Sequence, residues 1–94
     1  MNGARDFENL DFTGHCRARY GASGKPLDFY KFAYRFGYDI ACNPEYDADD
    51  VWLVIEMKAR REWVRKYPSY QWIEFRDAVR FGWQSTKSAL AKPF

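Results

Sequence analysis

Histidine is nearly absent from this 94-residue chain: there is one, His15, beside one of only two cysteines. A Cys–His catalytic pair needs both side chains on one reacting atom, whereas sequence neighbours on a helix point to different sides. His15–Cys16 therefore reads as a packed cysteine beside a surface histidine. His15, Cys16 and Cys42 have no zinc-ligand spacing, so no metal is expected. There is no glycine-rich phosphate loop and no nucleophile signature, which leaves no catalytic residue and no cofactor site to name. Hydrophobic runs are short as well. No window approaches the 18 or more apolar residues of a membrane span, and the start MNGARDFENL lacks the apolar segment of a signal peptide. The cytoplasm is the expected compartment, where Cys16 and Cys42 would be reduced and buried. Fifteen basic against 13 acidic residues leave a formal charge of only +2, too balanced for global charge to argue for nucleic acid.

Aromatic residues are plentiful, at 20% of the chain, within a hydrophobic content of 47%. A single domain of this length must draw much of its buried area from Trp, Tyr and Phe. No alternation of period two is long enough for a strand. The chain reads as all-α, a small single-domain bundle of three to four helices. Residues 1–10 form an N-terminal arm, mobile unless Phe7 and Leu10 dock, and residues 11–94 the helical domain.

From Asp11, the positions Phe12, Cys16 and Tyr20 suit a short helix, weakened by Gly14. GASGKP at 21–26 is loop chemistry. A second helix is expected over 28–43, capped by Asp28 and ended by Asn43-Pro44. A third is expected over 49–66. The acidic run DADD at 47–50 caps it, since the run lacks the glycine a calcium loop would need where Trp52 stands. Trp52, Ile55, Ala59 and Trp63 form its stripe, with Leu53, Met57 and Val64 beside them. Glu56 to Arg60 and Glu62 to Lys66 are spaced for i,i+4 pairs. The last helix, 69–90, is capped by Ser69 and carries Trp72, Phe75, Val79, Gly82, Thr86 and Leu90 on one face.

One pattern occurs twice: AYRFGY at 33–38 and AVRFGW at 78–83. Each copy places Ala and Gly four residues apart on one helix face, Ala33/Gly37 (continued by Ala41) and Ala78/Gly82. Glycine costs a helix interior roughly 1 kcal/mol relative to alanine, so its presence predicts a close approach of two backbones. These five residues are expected to form a helix crossing with large rings at its rim. Arg35 and Arg80, just before each Phe-Gly, are expected to lie over a neighbouring ring or to meet a carboxylate such as Asp39.

The remaining charge cluster is KARREWVRK at 58–66. It reads as a solvated face with positive charge toward the helix C-terminus. Alternatively, Lys58, Arg61 and Arg65, at i, i+3 and i+7, form a nucleic-acid face.

The stretches Ser23-Gly24-Lys25-Pro26, Ala33 to Tyr38, Asp50 with Trp52 and Glu56, Arg60-Arg61-Glu62-Trp63, Pro68 with Trp72, and Phe75 to Trp83 together resemble a family of small bacterial helical proteins of uncharacterised function, some found beside stress-related modules. The family's motifs run AYRYGY, RRxWE and FKDAVRYGW, and the resemblance covers about residues 12–84. Met57 stands where the family tends to have proline, SYQW replaces a Pro-Gly-Thr-Trp turn, and Val51 is inserted before Trp52. The resemblance implies a small helical fold and no reaction.

The function expected is a non-enzymatic protein-binding module, a homodimer or accessory subunit of a larger assembly. Candidate partner contacts are Arg35, Tyr38, Arg61, Arg65, Arg80 and Trp83, because Tyr, Trp and Arg dominate interface hot spots. The alternatives are a nucleic-acid binder using the 58–66 helix and a phage- or stress-encoded inhibitor of another protein.

Overall fold

The computed structural model describes residues 11–46 and 51–91. The arm expected over 1–10 and the acidic cap expected at Asp47–Asp50 lie outside these residues. Four α-helices follow in order: α1 Thr13–Tyr20, α2 Lys31–Cys42, α3 Trp52–Lys66 and α4 Trp72–Ala91, with no strand among the described residues. This is the all-α bundle expected.

The helix starts differ from expectation, for a backbone reason. Pro26, at φ −67°, opens a 3-10 turn over Leu27–Tyr30, and α2 begins only at Lys31. The Lys31 N–H donates to the Asp28 carbonyl, so Asp28 contributes main chain and its side chain caps nothing. The turn lowers Tyr30 into the core, where it stacks on Tyr20 with ring centroids 4.1 Å apart. Before it, Gly24 takes φ +80° at the end of the Gly21–Ser23 turn, a conformation side chains resist. Ser69 caps no helix either: it lies in the turn three residues ahead of Trp72. That turn is held against α3 by the Trp63 indole, which donates to the Tyr70 carbonyl at 2.7 Å. At α3 the extended Val51 serves through its carbonyl, which accepts from Val54 and Ile55 at 3.1 and 3.2 Å. Helix α3 then runs unbroken through Met57, as a chain without proline there can.

Helices α2 and α4 cross at close range, and the two Ala-x-Arg-Phe-Gly stretches lie at the crossing. A methyl group on Gly37 would sit 2.0 Å from the Val79 carbonyl oxygen and 2.7 Å from the Trp83 nitrogen; one on Gly82 would sit 2.3 Å from the Tyr34 carbonyl oxygen. Each glycine thus receives the other helix's main chain, not the other glycine. Ala33, Ala41 and Ala78 are buried along the same faces.

Rings close the rest. Trp63 is fully buried among Phe32, Phe36, Tyr67, Trp72 and Phe75, with centroids 4.7 to 5.8 Å away. Helix α1 is tied to α4 through the buried Tyr20 hydroxyl, which donates to the Glu74 carbonyl at 3.0 Å and accepts the Ala78 N–H at 3.2 Å. Burial pushes that hydroxyl's pKa up to about 12.

The acidic side chains of α3 do not pair as i,i+4 spacing suggests. Glu62 meets Arg65, and Glu56 reaches across to α4. There it accepts two hydrogen bonds from the Arg76 guanidinium and one from the Trp72 indole at 3.2 Å. The Arg76 hydrogen bond holds the Glu56 carboxyl below its ordinary value of 4.5 despite partial burial. Ionised Glu56 therefore stabilises the fold above that value, and the contribution is lost as pH falls through the depressed folded pKa. Glu56→Gln is expected to cost about 1.5–3 kcal/mol at neutral pH, since it leaves half-buried Arg76 only the longer contact with Asp77 at 3.6 Å as an ion pair. It should also flatten the fall in melting temperature below the ordinary carboxylate value, in thermal melts across acid pH. A variant with the wild-type acid profile would show the pair to be inert.

Candidate functional site

At about 100° per residue, the buried face of α3 is set by Trp52, Ile55, Ala59 and Trp63. The other apolar residues do not extend it. Leu53, Met57 and Val64 cluster roughly 135° away around the helix, and they are 69%, 67% and 55% exposed. Expected beside the stripe, they lie well apart from it: two apolar stripes share this helix, and α2 and α4 cover one. Val54 borders the outer stripe and is also exposed.

Arginines frame that stripe. By the same helical geometry Arg60 lies on one side, and Arg61, Arg65 and Lys58 on the other; all four are exposed. Arg65 donates twice to Glu62, at 2.7 and 2.6 Å, and Lys58 lies over the Tyr46 ring at 5.8 Å. Arg60 and Arg61 form no ion pair with any described residue. The triad Lys58, Arg61 and Arg65 is thus on one face, and the Arg65 charge is met by the Glu62 carboxylate. Two open clefts of about 250 and 260 Å³ run beside it, with Glu45, Tyr46 and Glu62 common to their walls. Acidic and basic groups both line them, and no histidine or cysteine lines either cleft.

The other candidate contacts are scattered. Exposed Arg35 on α2 meets Asp39 at 3.4 Å and lies 6.0 Å from the half-buried Tyr38 ring. Arg80 on α4 is exposed and lies 6.0 Å from the Trp52 ring. Trp83 is no contact surface: it is only 5% exposed and packs against Trp52, with centroids 5.4 Å apart. The indole N–H groups of Trp52 and Trp83 are both buried without a hydrogen-bond partner. Such groups cost about 1–3 kcal/mol each.

His15 and Cys16 are placed differently from expectation. His15 is half-buried rather than on the surface, stacked on Phe81 at 4.4 Å, with Nδ1 2.7 Å from the Tyr34 hydroxyl. Cys16 is buried against that hydroxyl too. Burial lowers the His15 pKa and raises those of Cys16 and Tyr34. All three groups are held neutral, the reverse of an activated thiolate–imidazolium pair. Cys42 is exposed rather than buried, since it ends α2, and neither cysteine is in a disulfide. Among the described residues no three His, Cys, Asp or Glu side chains gather as metal ligands would, and no helix is long and apolar enough to cross a membrane.

Comparison with protein-family models, with curated proteins and with solved structures finds no match to this chain.

Proposed function

We propose that the protein is a non-enzymatic module that binds another protein, as an accessory subunit of a larger assembly or as a homodimer, in the cytoplasm. The observation that carries this reading is the outer face of α3, where Leu53, Met57 and Val64 stand in solvent between arginines. Methionine and arginine are enriched at protein interfaces, whose buried centres are more apolar than their rims. Arg35 with Tyr38 on α2 and Arg80 on α4 supply additional contacts of the same kind. The resemblance to small bacterial proteins, some of them found beside stress-related modules, supports a role in stress physiology.

The experiment is affinity purification from the native host with the wild-type chain and with Leu53→Ser/Met57→Ser/Val64→Ser. The partner is expected to co-purify with the wild type and to be lost from the triple variant. The melting temperature should change little, because exposed positions away from caps and pairs shift stability by about 0.5 kcal/mol or less each. A stable monomer that retains nothing, or equal retention by both chains, overturns the reading.

The basic triad gives a second reading, nucleic-acid binding through Lys58, Arg61 and Arg65. Here affinity should fall steeply with salt and be insensitive to the serine substitutions.

A further inference from the structure

The partner's chemistry can be narrowed, on the reading that α3 is the docking face. We infer that this face receives one amphipathic helix whose apolar stripe is flanked by acidic residues.

Length and spacing come first. From Leu53 to Val64 the stripe covers about 17 Å, three turns of helix. Its members recur at steps of four, three and four if Arg60 is included, the rhythm by which one helix packs along another. An occupant of about 12–16 residues would span it. Charge then chooses among occupants. Arg60 on one edge and Arg61 on the other form no ion pair with described residues, and Glu62, one of the two acidic residues of α3, is engaged by Arg65. Glu56, the other acidic residue of α3, is turned to Arg76. A second copy laid on this face would oppose arginine to arginine, with both described carboxylates of α3 already engaged, which association penalises. A partner with acidic flanks supplies the missing counter-charges. A membrane surface is the poorer fit, because the stripe holds Leu, Val and Met and no aromatic ring to sit at headgroup level. Nucleic acid would leave the apolar stripe uncovered.

The test uses fluorescein-labelled peptides of about 16 residues: a leucine/glutamate amphipathic helix, its leucine/lysine counterpart, and a scrambled peptide of the acidic composition. Anisotropy titrations of the wild-type chain are expected to give at least about tenfold tighter binding of the acidic helix than of either control, the weight of a few interface residues. Arg60→Glu/Arg61→Glu should reverse the preference toward the lysine peptide, and Leu53→Ser/Met57→Ser/Val64→Ser should lose about tenfold for the acidic helix. Circular-dichroism melts of both variants establish that they are folded. Equal binding of ordered and scrambled peptides, preference for the basic peptide, or no binding of any peptide overturns the inference. So does retention on phosphatidylserine vesicles that the acidic peptide does not compete away, or sedimentation as a dimer that the serine variant abolishes. If peptide binding fails while host co-purification still depends on Leu53, Met57 and Val64, only the acidic-helix inference falls and the protein-binding reading stands.

Discussion

Gly37→Ala should destabilise the protein by about 3 kcal/mol or more, although overpacking in most cores costs less. The added methyl group would lie 2.0 Å from the Val79 carbonyl oxygen and 2.7 Å from the Trp83 nitrogen. Both are main-chain atoms inside α4, so no side chain can rotate away; the helices themselves must part. Parting them would also loosen Ala33, Ala41 and Ala78, buried on the same two faces. Gly82→Ala should behave alike, with its methyl group 2.3 Å from the Tyr34 carbonyl oxygen and 3.3 Å from the Tyr38 nitrogen. Helix propensity pulls the other way by up to about 1 kcal/mol, since alanine is the better helix former. Gly14 in α1 isolates that opposing effect, because nothing lies within 4 Å of a methyl group built there. Gly14→Ala is therefore expected to raise stability by a few tenths to about 1 kcal/mol, while the same change at Gly37 lowers it sharply. Urea unfolding of the three variants decides the matter. If Gly37→Ala unfolds at the wild-type midpoint, the backbones do not approach as described.

The parts of this fold that could be read in the sequence are those that depend on periodicity. Trp72, Phe75, Val79 and Thr86 repeat at helical spacing and are buried together. Alanine and glycine four residues apart carry the information about close approach, because only bare backbone admits another backbone. What could not be read depends on partners distant in sequence. Glu56 has an attractive local neighbour in Arg60, yet its flank of α3 faces α4, and Arg76 is there. Asp28 and Ser69 are good capping residues, but turns built around proline and a buried indole let main-chain groups start the helices elsewhere. Trp83 has the composition of an interface residue and the environment of a core one, since composition does not say which way a ring points. The outer stripe of α3 is the instructive case. Hydrophobicity marks two stripes on one helix, and angular position separates them, but only the neighbouring helices decide which is covered. Signs of the exposed stripe were present in the wide angle between the stripes and in the arginines bordering one of them.

Trp63→Ala should be the most damaging side-chain truncation, costing about 3–5 kcal/mol. That is a large part of the 5–15 kcal/mol that holds a typical domain folded. The fully buried indole touches rings from α2, the α3–α4 turn and α4, and its N–H donates to the Tyr70 carbonyl at 2.7 Å. Truncation removes the ring contacts and leaves the Tyr70 carbonyl without its donor in one step. Trp63→Phe separates the two effects: most of the apolar contact survives, so the cost should drop to about 1.5–3 kcal/mol, mainly a smaller cavity and the lost hydrogen bond. The loss should also be uneven. Helix α2 meets α4 through backbone contact at Gly37 and Gly82, whereas α3 is held by large side chains with Trp63 at their centre. Native-state hydrogen exchange of Trp63→Phe is therefore expected to show α3 amides losing protection before those at the α2–α4 crossing. A uniform loss across all four helices would mean that α3 is not a separately released element, and a truncation cost under about 1 kcal/mol would remove Trp63 from the centre of the core.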